Sequence, residues 1–121
     1  MRFRITQDDI NRTMLVEPDL WYPVEVVKVY DEPANKGDSI NTKVDLQIID
    51  GRFKGLVVTR TFNEKAPGFV IPYLAAFGIE AEADVDYDLK ATEGQKIRAF
   101  IKHREWQGTK YNDAVDFMAL T

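Results

Sequence analysis

The alternation of apolar and polar residues is sharpest from Leu20 onward. The run Trp21-Tyr22-Pro23-Val24-Glu25-Val26-Val27-Lys28-Val29-Tyr30 is dense in aromatic and β-branched residues. These types suit a pleated, half-buried surface and predict a first strand. Pro23 offers no ladder donor, so an edge position or a bulge is expected there. Asp31 to Asn41 is polar and holds Pro33 and Gly37, which predicts a loop. In Thr42 to Ile49, Val44, Leu46 and Ile48 alternate with Lys43, Asp45 and Gln47, giving a second strand with one wet face. Asp50-Gly51 signals a hairpin because glycine accepts positive φ. Leu56 to Asn63 follows as a third strand, with Leu56, Val58, Arg60 and Phe62 on one side.

The period changes after Ala66-Pro67-Gly68. Phe69, Val70, Ile71, Tyr73, Leu74 and Phe77 recur at helical spacing and stop at Gly78. That predicts a short amphipathic helix with a glycine C-cap and Pro72 near its first turn. An acidic loop leads to a fourth strand, Gln95 to Trp106, in which Ile97, Ala99, Ile101 and His103 lie opposite Lys96, Arg98, Phe100, Lys102 and Arg104. Gln107-Gly108-Thr109 predicts a turn, and Lys110 to Leu120 a fifth strand with Tyr111, Asp113, Val115 and Phe117 on one side. The residues up to Asp19 form a lead-in whose clearest signals are a weak helix N-cap, Thr6 with Asp9, and a packing run at Met14, Leu15 and Val16. Three strands, a helix and two strands is the connectivity of the OB-fold, a partly open five-stranded Greek-key barrel. The expectation is an all-β barrel with one helix, a single domain over residues 1–121 with 1–19 as lead-in. Another small barrel with one helix is the main rival.

Composition narrows the function classes. A chain of 121 residues fits one domain, and 45% hydrophobic with 30% charged residues is globular. The absence of cysteine removes disulfides, thiolate zinc sites and cysteine nucleophiles. Met1-Arg2-Phe3-Arg4-Ile5 lacks the apolar core of a signal peptide, and no apolar run is long enough for a bilayer. A cytoplasmic protein with no membrane partner is expected. The net charge of −4 argues at first against a polyanionic partner. Charge is sorted along the chain, however. From Glu80 to Glu93 six acids stand against Lys90, whereas from Lys96 to Lys110 five cations stand against Glu105. Arg52 to Lys65 is a third, basic block with four cations against Glu64.

Little here could support catalysis. His103, the single histidine, is expected at a barrel end beside Ile97, Ala99 and Ile101, and no phosphate loop or nucleophile motif accompanies it. No enzyme and no cofactor are expected. Asp84-Val85-Asp86-Tyr87-Asp88 alternates carboxylates in the manner of a hard-metal site, but it lacks the glycine and terminal glutamate of a calcium loop. It is expected to be a solvated acidic loop without metal.

The basic and aromatic residues of strands three to five carry more. Alternation puts Arg98, Phe100, Lys102 and Arg104 on one face, Arg60 and Phe62 share another, and Trp106, Lys110 and Tyr111 gather at the last hairpin. Cations that track phosphates, interleaved with rings that stack on unpaired bases, suit single-stranded nucleic acid. These nine residues are the candidate nucleic-acid-binding set, and the strand two to three face with its flanking loops is where an OB-fold presents such a site. Trp21 and Tyr22 are expected in the core or closing the barrel. Stacking and phosphate contacts do not separate DNA from RNA. Avidity would favour a homodimer.

The strings Trp21-Tyr22-Pro23-Val24-Glu25-Val26, Ile49-Asp50-Gly51-Arg52-Phe53-Lys54-Gly55 and Phe62-Asn63-Glu64-Lys65-Ala66-Pro67-Gly68-Phe69 carry a resemblance over Leu20 to Leu120. In them the chain resembles a family of small phage-encoded OB-fold proteins from replication and recombination modules. The resemblance implies largely sequence-independent binding of single-stranded DNA, with phage replication or recombination proteins as partners, and assigns no fixed set of contacts. Many such binders carry an acidic C-terminal tail. This sequence ends Met118-Ala119-Leu120-Thr121, so recruitment through such a tail is not expected. The alternative expectation is a phage protein-interaction or virion-associated module that uses the barrel as a scaffold.

Overall fold

The computed structural model describes every residue except Lys36, which falls in the loop expected after the first strand. Five strands, β1 (Leu20–Pro33), β2 (Ile40–Ile48), β3 (Val57–Asn63), β4 (Lys96–Trp106) and β5 (Thr109–Ala119), form one antiparallel sheet in the order β3-β2-β1-β4-β5. Two short helices accompany it, α1 (Gln7–Thr13) and α2 (Val70–Ala76). The β-rich fold with a helix between the third and fourth strands is therefore as the alternation predicts. Among the described residues no helix is long and apolar enough to cross a membrane.

The central strand β1 serves two neighbours in succession. It pairs with β4 from Leu20 to Glu25 and with β2 from Val24 to Pro33. An extra residue at Val27, between Val26 and Lys28 in the β2 register, bends it away from β4. The backbone groups released there find other partners, as buried polar groups must. Gly94 N–H donates to the Val26 carbonyl at 2.7 Å, and Val29 N–H donates to Glu93 Oε2 at 2.7 Å. Pro23, where an edge position or a bulge was expected, lies instead in the central strand, in register with Arg98 of β4 and ahead of the first β1–β2 rung.

The inner face of the sheet holds Val24, Val26, Val44, Leu46, Ile97, Ala99 and Ile101, all fully buried. Tyr73 of α2 seats in one end of this core with its ring 5.4 Å from Phe62, 5.2 Å from Phe117 and 4.9 Å from Phe77. Its hydroxyl lies 2.7 Å from Thr92 Oγ1, and burial pushes its pKa up to about 12. The helix is shorter than its sequence pattern, because Pro67–Phe69 is a 3₁₀ turn. It ends where Gly78, at φ 79°, lets Ile79 N–H reach the Leu74 carbonyl at 3.1 Å.

The lead-in closes the opposite end. Thr6 and Asp9 form a full capping box on α1. Asn11 Oδ1 then accepts from Val57 N–H on β3 at 3.0 Å, and Asn112 of β5 accepts from Val16 N–H at 3.0 Å while donating to the Met14 carbonyl at 2.9 Å. Val16 is only 2% exposed. The segment thus spans the side on which the edges of β3 and β5 approach each other. Among the described residues these two strands share no ladder. They meet through Phe62 and Phe117, 6.2 Å apart, and through Arg60 Nη1, which donates to the Ala114 carbonyl at 3.1 Å.

Two expectations about facing are corrected. In β5 a register shift opposite Phe100 and Ile101 breaks the alternation, so Ala114 and Phe117 both turn inward while Val115 is exposed. Trp21 is outside the core, 38% exposed on the outer face of β1.

Candidate nucleic-acid interface

Strand β4 is buried on one side only. Ile97, Ala99 and Ile101 are each 0% exposed, so the intervening Arg98, Phe100, Lys102, Arg104 and Trp106 must point outward. The row from Arg98 to Trp106 extends about 27 Å at the usual rise of a strand. Cross-strand pairing sets its neighbours: Phe100 lies beside Trp21 of β1, and Arg104 beside Tyr111 of β5. The Trp21 and Phe100 rings are 5.2 Å apart and tilted by 55°. Lys102 Nζ stands 5.9 Å from the Phe100 centroid, and the Arg104 guanidinium 5.9 Å from that of Tyr111. Trp106 ends the row at the hairpin, 58% exposed. Gln107 and Gly108, at φ 50° and 78°, form the tight two-residue connection that holds it there.

This face retains free cationic character. Lys102 pairs with Asp19 at 3.5 Å, and both side chains are more than half exposed, a geometry worth little in water. Arg98 Nε donates to the Ala119 carbonyl at 3.1 Å. Among the described residues Arg104 has no carboxylate within ion-pair distance. Acids are present nearby, since Asp113 and Asp116 pair in register with Lys102 and Phe100.

Six of the nine candidates therefore share one surface: Arg98, Phe100, Lys102, Arg104, Trp106 and Tyr111. The other three do not join it. Phe62 is 4% exposed, packed between Tyr73 and Phe117, so its ring has no free face for a base. Arg60 is on the inner side of β3, in register with the buried Val44. Its guanidinium lies 4.9 Å from the Phe62 ring centroid, and among the described residues its buried Nε has no partner. It fastens the β3–β5 seam. Lys110 pairs in register with Glu105, on the side of the hairpin away from Arg104. Trp21 is the residue that sequence reasoning missed. Its place could have been found from parity, because Val24 and Val26 face inward and odd positions before the bulge face out.

The outer surface of β2 and β3 is different. Lys43 pairs with Glu32 at 3.1 Å, Thr59 donates to Asp45 at 2.6 Å, and Asn63 donates to Asn41 at 2.8 Å. Burial raises the Tyr30 hydroxyl pKa on this surface, with Asp45 and Glu32 adding to it. His103 Nε2 lies 2.7 Å from the Val16 carbonyl at the lead-in. Among the described residues no group of three or more His, Asp or Glu is gathered as metal ligands.

A scan against protein-family models matches none to this chain, and no curated protein is significantly similar to it.

Proposed function

We propose that the chain is an OB-type barrel that binds single-stranded DNA with little sequence preference, in phage replication or recombination. The observation that carries this reading is the outward row of β4, Arg98, Phe100, Lys102, Arg104 and Trp106, extended sideways by Trp21 and Tyr111. Cations at alternate positions would follow the phosphates, and the rings between them would receive unpaired bases. Base–aromatic stacking contributes about 1–3 kcal/mol per base and tolerates any base, because each has a π-face. The sheet order, with β1 between β2 and β4 and the edges of β3 and β5 approaching, supports the OB assignment. The interface in this reading lies on β4, β5 and the start of β1. It is displaced from the strand two to three face that OB-folds commonly use.

Both tryptophans of the chain stand on this face, so their fluorescence reports on it directly. Titration with oligo-dT is expected to quench them saturably, and raising salt should weaken binding with a log–log slope of about −0.7 per phosphate neutralised. A flat titration with no gel shift would remove the reading and leave a protein-interaction scaffold. A parallel titration with oligo-U measures the preference between DNA and RNA.

A further inference from the structure

At the α2 end of the sheet an open groove of about 530 Å³ lies between α2, the ends of β2 and β3, and the loop that follows Gly78. Val70, Ile71, Leu74 and Leu89 give it an apolar floor, and Glu64, Glu82, Asp84 and Asp86 stand along its rim. The outer wall is preformed: the Tyr87 hydroxyl accepts from Glu82 N–H at 2.9 Å and lies 3.5 Å from the Glu80 carbonyl. Ile71 and Val85 remain 52% and 45% exposed. An occupant must therefore offer apolar side chains on one side and cations on the other.

The chain carries such a segment. Met1, Phe3 and Ile5 are 108%, 82% and 71% exposed, and Arg2 and Arg4 alternate with them ahead of the α1 cap at Thr6. In an extended backbone, successive side chains point to opposite sides. One side of this arm is then wholly apolar and the other wholly cationic. Large apolar side chains gathered in so short an exposed segment are a usual mark of an interaction site. Since the arm is exposed while its own groove stands open, the complementary pair is available between copies.

We propose that Met1–Ile5 of one copy docks in the α2 groove of a second copy, Phe3 on the apolar floor and Arg2 and Arg4 against Glu82, Asp84 and Asp86. The interface uses neither β4 nor β5, so it leaves the proposed DNA face open. It would let successive copies line up along one strand.

The test is sedimentation velocity on nuclease-treated full chain over a range of concentrations, with charge-swapped partners. Wild type is expected to self-associate. Arg2→Glu/Arg4→Glu and Asp84→Lys/Asp86→Lys should each weaken association more than about tenfold, since like charges then face each other. An equimolar mixture of the two variants should recover it, because each arm then meets a groove of opposite sign. All the substituted positions are exposed, and unchanged thermal melting controls for folding. A wild type that stays monomeric overturns the proposal, as does association that survives either reversal. Binding of a synthetic Met1–Ile5 peptide to the arm-deleted chain, with wild type monomeric, would mean that the arm docks on its own groove, and also overturns it. Titration of the same variants with an oligo-dT too short to hold two copies reports on the β4 face alone, which keeps a loss of docking distinct from a loss of DNA binding.

Discussion

On the outer face of β2 and β3 the polar side chains are committed to one another, whereas on β4 and β5 the cations and rings are left facing solvent. The first face has Lys43 on Glu32, Thr59 on Asp45 and Asn63 on Asn41, at 3.1, 2.6 and 2.8 Å. The second has Lys102 loosely on Asp19 at 3.5 Å, Arg104 over Tyr111, and Trp21 against Phe100. Both halves cover the same apolar core and share β1. Packing therefore does not dictate the difference. A strand face can be finished by internal hydrogen bonds, which hold the sheet, or left with donors and ring faces unused, which a ligand can use.

Five variants sharpen or break that contrast, beginning with the largest effect. Phe62→Ala should destabilise the fold by about 3–5 kcal/mol in urea unfolding, the usual loss for a buried aromatic. If stability is unchanged and oligo-dT binding falls instead, the inward placement of Phe62 is wrong. Next, Arg98→Ala/Lys102→Ala/Arg104→Ala should weaken oligo-dT binding on the order of 100-fold at low salt and flatten the salt slope by about 2, as expected for three phosphate contacts. Lys28→Ala/Lys43→Ala on the other half should change it less than about 2-fold. Equal effects from the two sets would mean that only net charge matters, and the contrast between halves would fail.

Phe100→Ala should cost about tenfold in affinity, within the range for one stacked base. Its effect on stability is expected to be smaller than that of Phe62→Ala, because Phe100 is half-buried on the outer face rather than in the core. In the reverse sense, Asp45→Ala should lower stability by about 1 kcal/mol through loss of its hydrogen bond from Thr59 and leave oligo-dT affinity unchanged. Chemical denaturation and fluorescence titration on the same samples separate the two kinds of loss.

Much of this arrangement was legible in the sequence wherever a strand has one wet and one dry face. Val44, Leu46 and Ile48, and likewise Ile97, Ala99 and Ile101, declare their side by period two, and the structure buries them all. Parity also grouped Arg60 with Val58 and Phe62, but both faces of that strand carry apolar residues, so nothing in the sequence said which was inner. The β5 bulge resets the alternation after Ala114, and no residue type there announces it. The lead-in was opaque for another reason. Its order comes from bonds such as Asn11 to Val57 and Asn112 to Val16, across 46 and 96 residues of sequence, which local pattern cannot reveal.

The two halves are joined at the β1 bulge, and there Glu93 offers the smallest and most specific test. Its carboxylate accepts from Val29 N–H at 2.7 Å and from Lys90 Nζ at 2.9 Å, while Lys90 also donates to the Val29 carbonyl at 3.1 Å. The Val29 bond, and after it the Lys90 bond, hold the Glu93 pKa below its ordinary value of 4.5. A carboxyl whose pKa is lower in the folded chain binds its proton more readily when unfolded. It therefore adds stability that is fully present above its unfolded pKa and is lost as pH falls through the folded one. Glu93→Gln keeps the shape and removes this contribution, so its melting temperature should lie below that of wild type at pH 7. The gap should narrow progressively below about pH 4.5, where wild-type Glu93 also becomes protonated. A gap of constant size down to pH 2 would show that shape alone, and not charge, fastens β1 where it passes from one half of the sheet to the other.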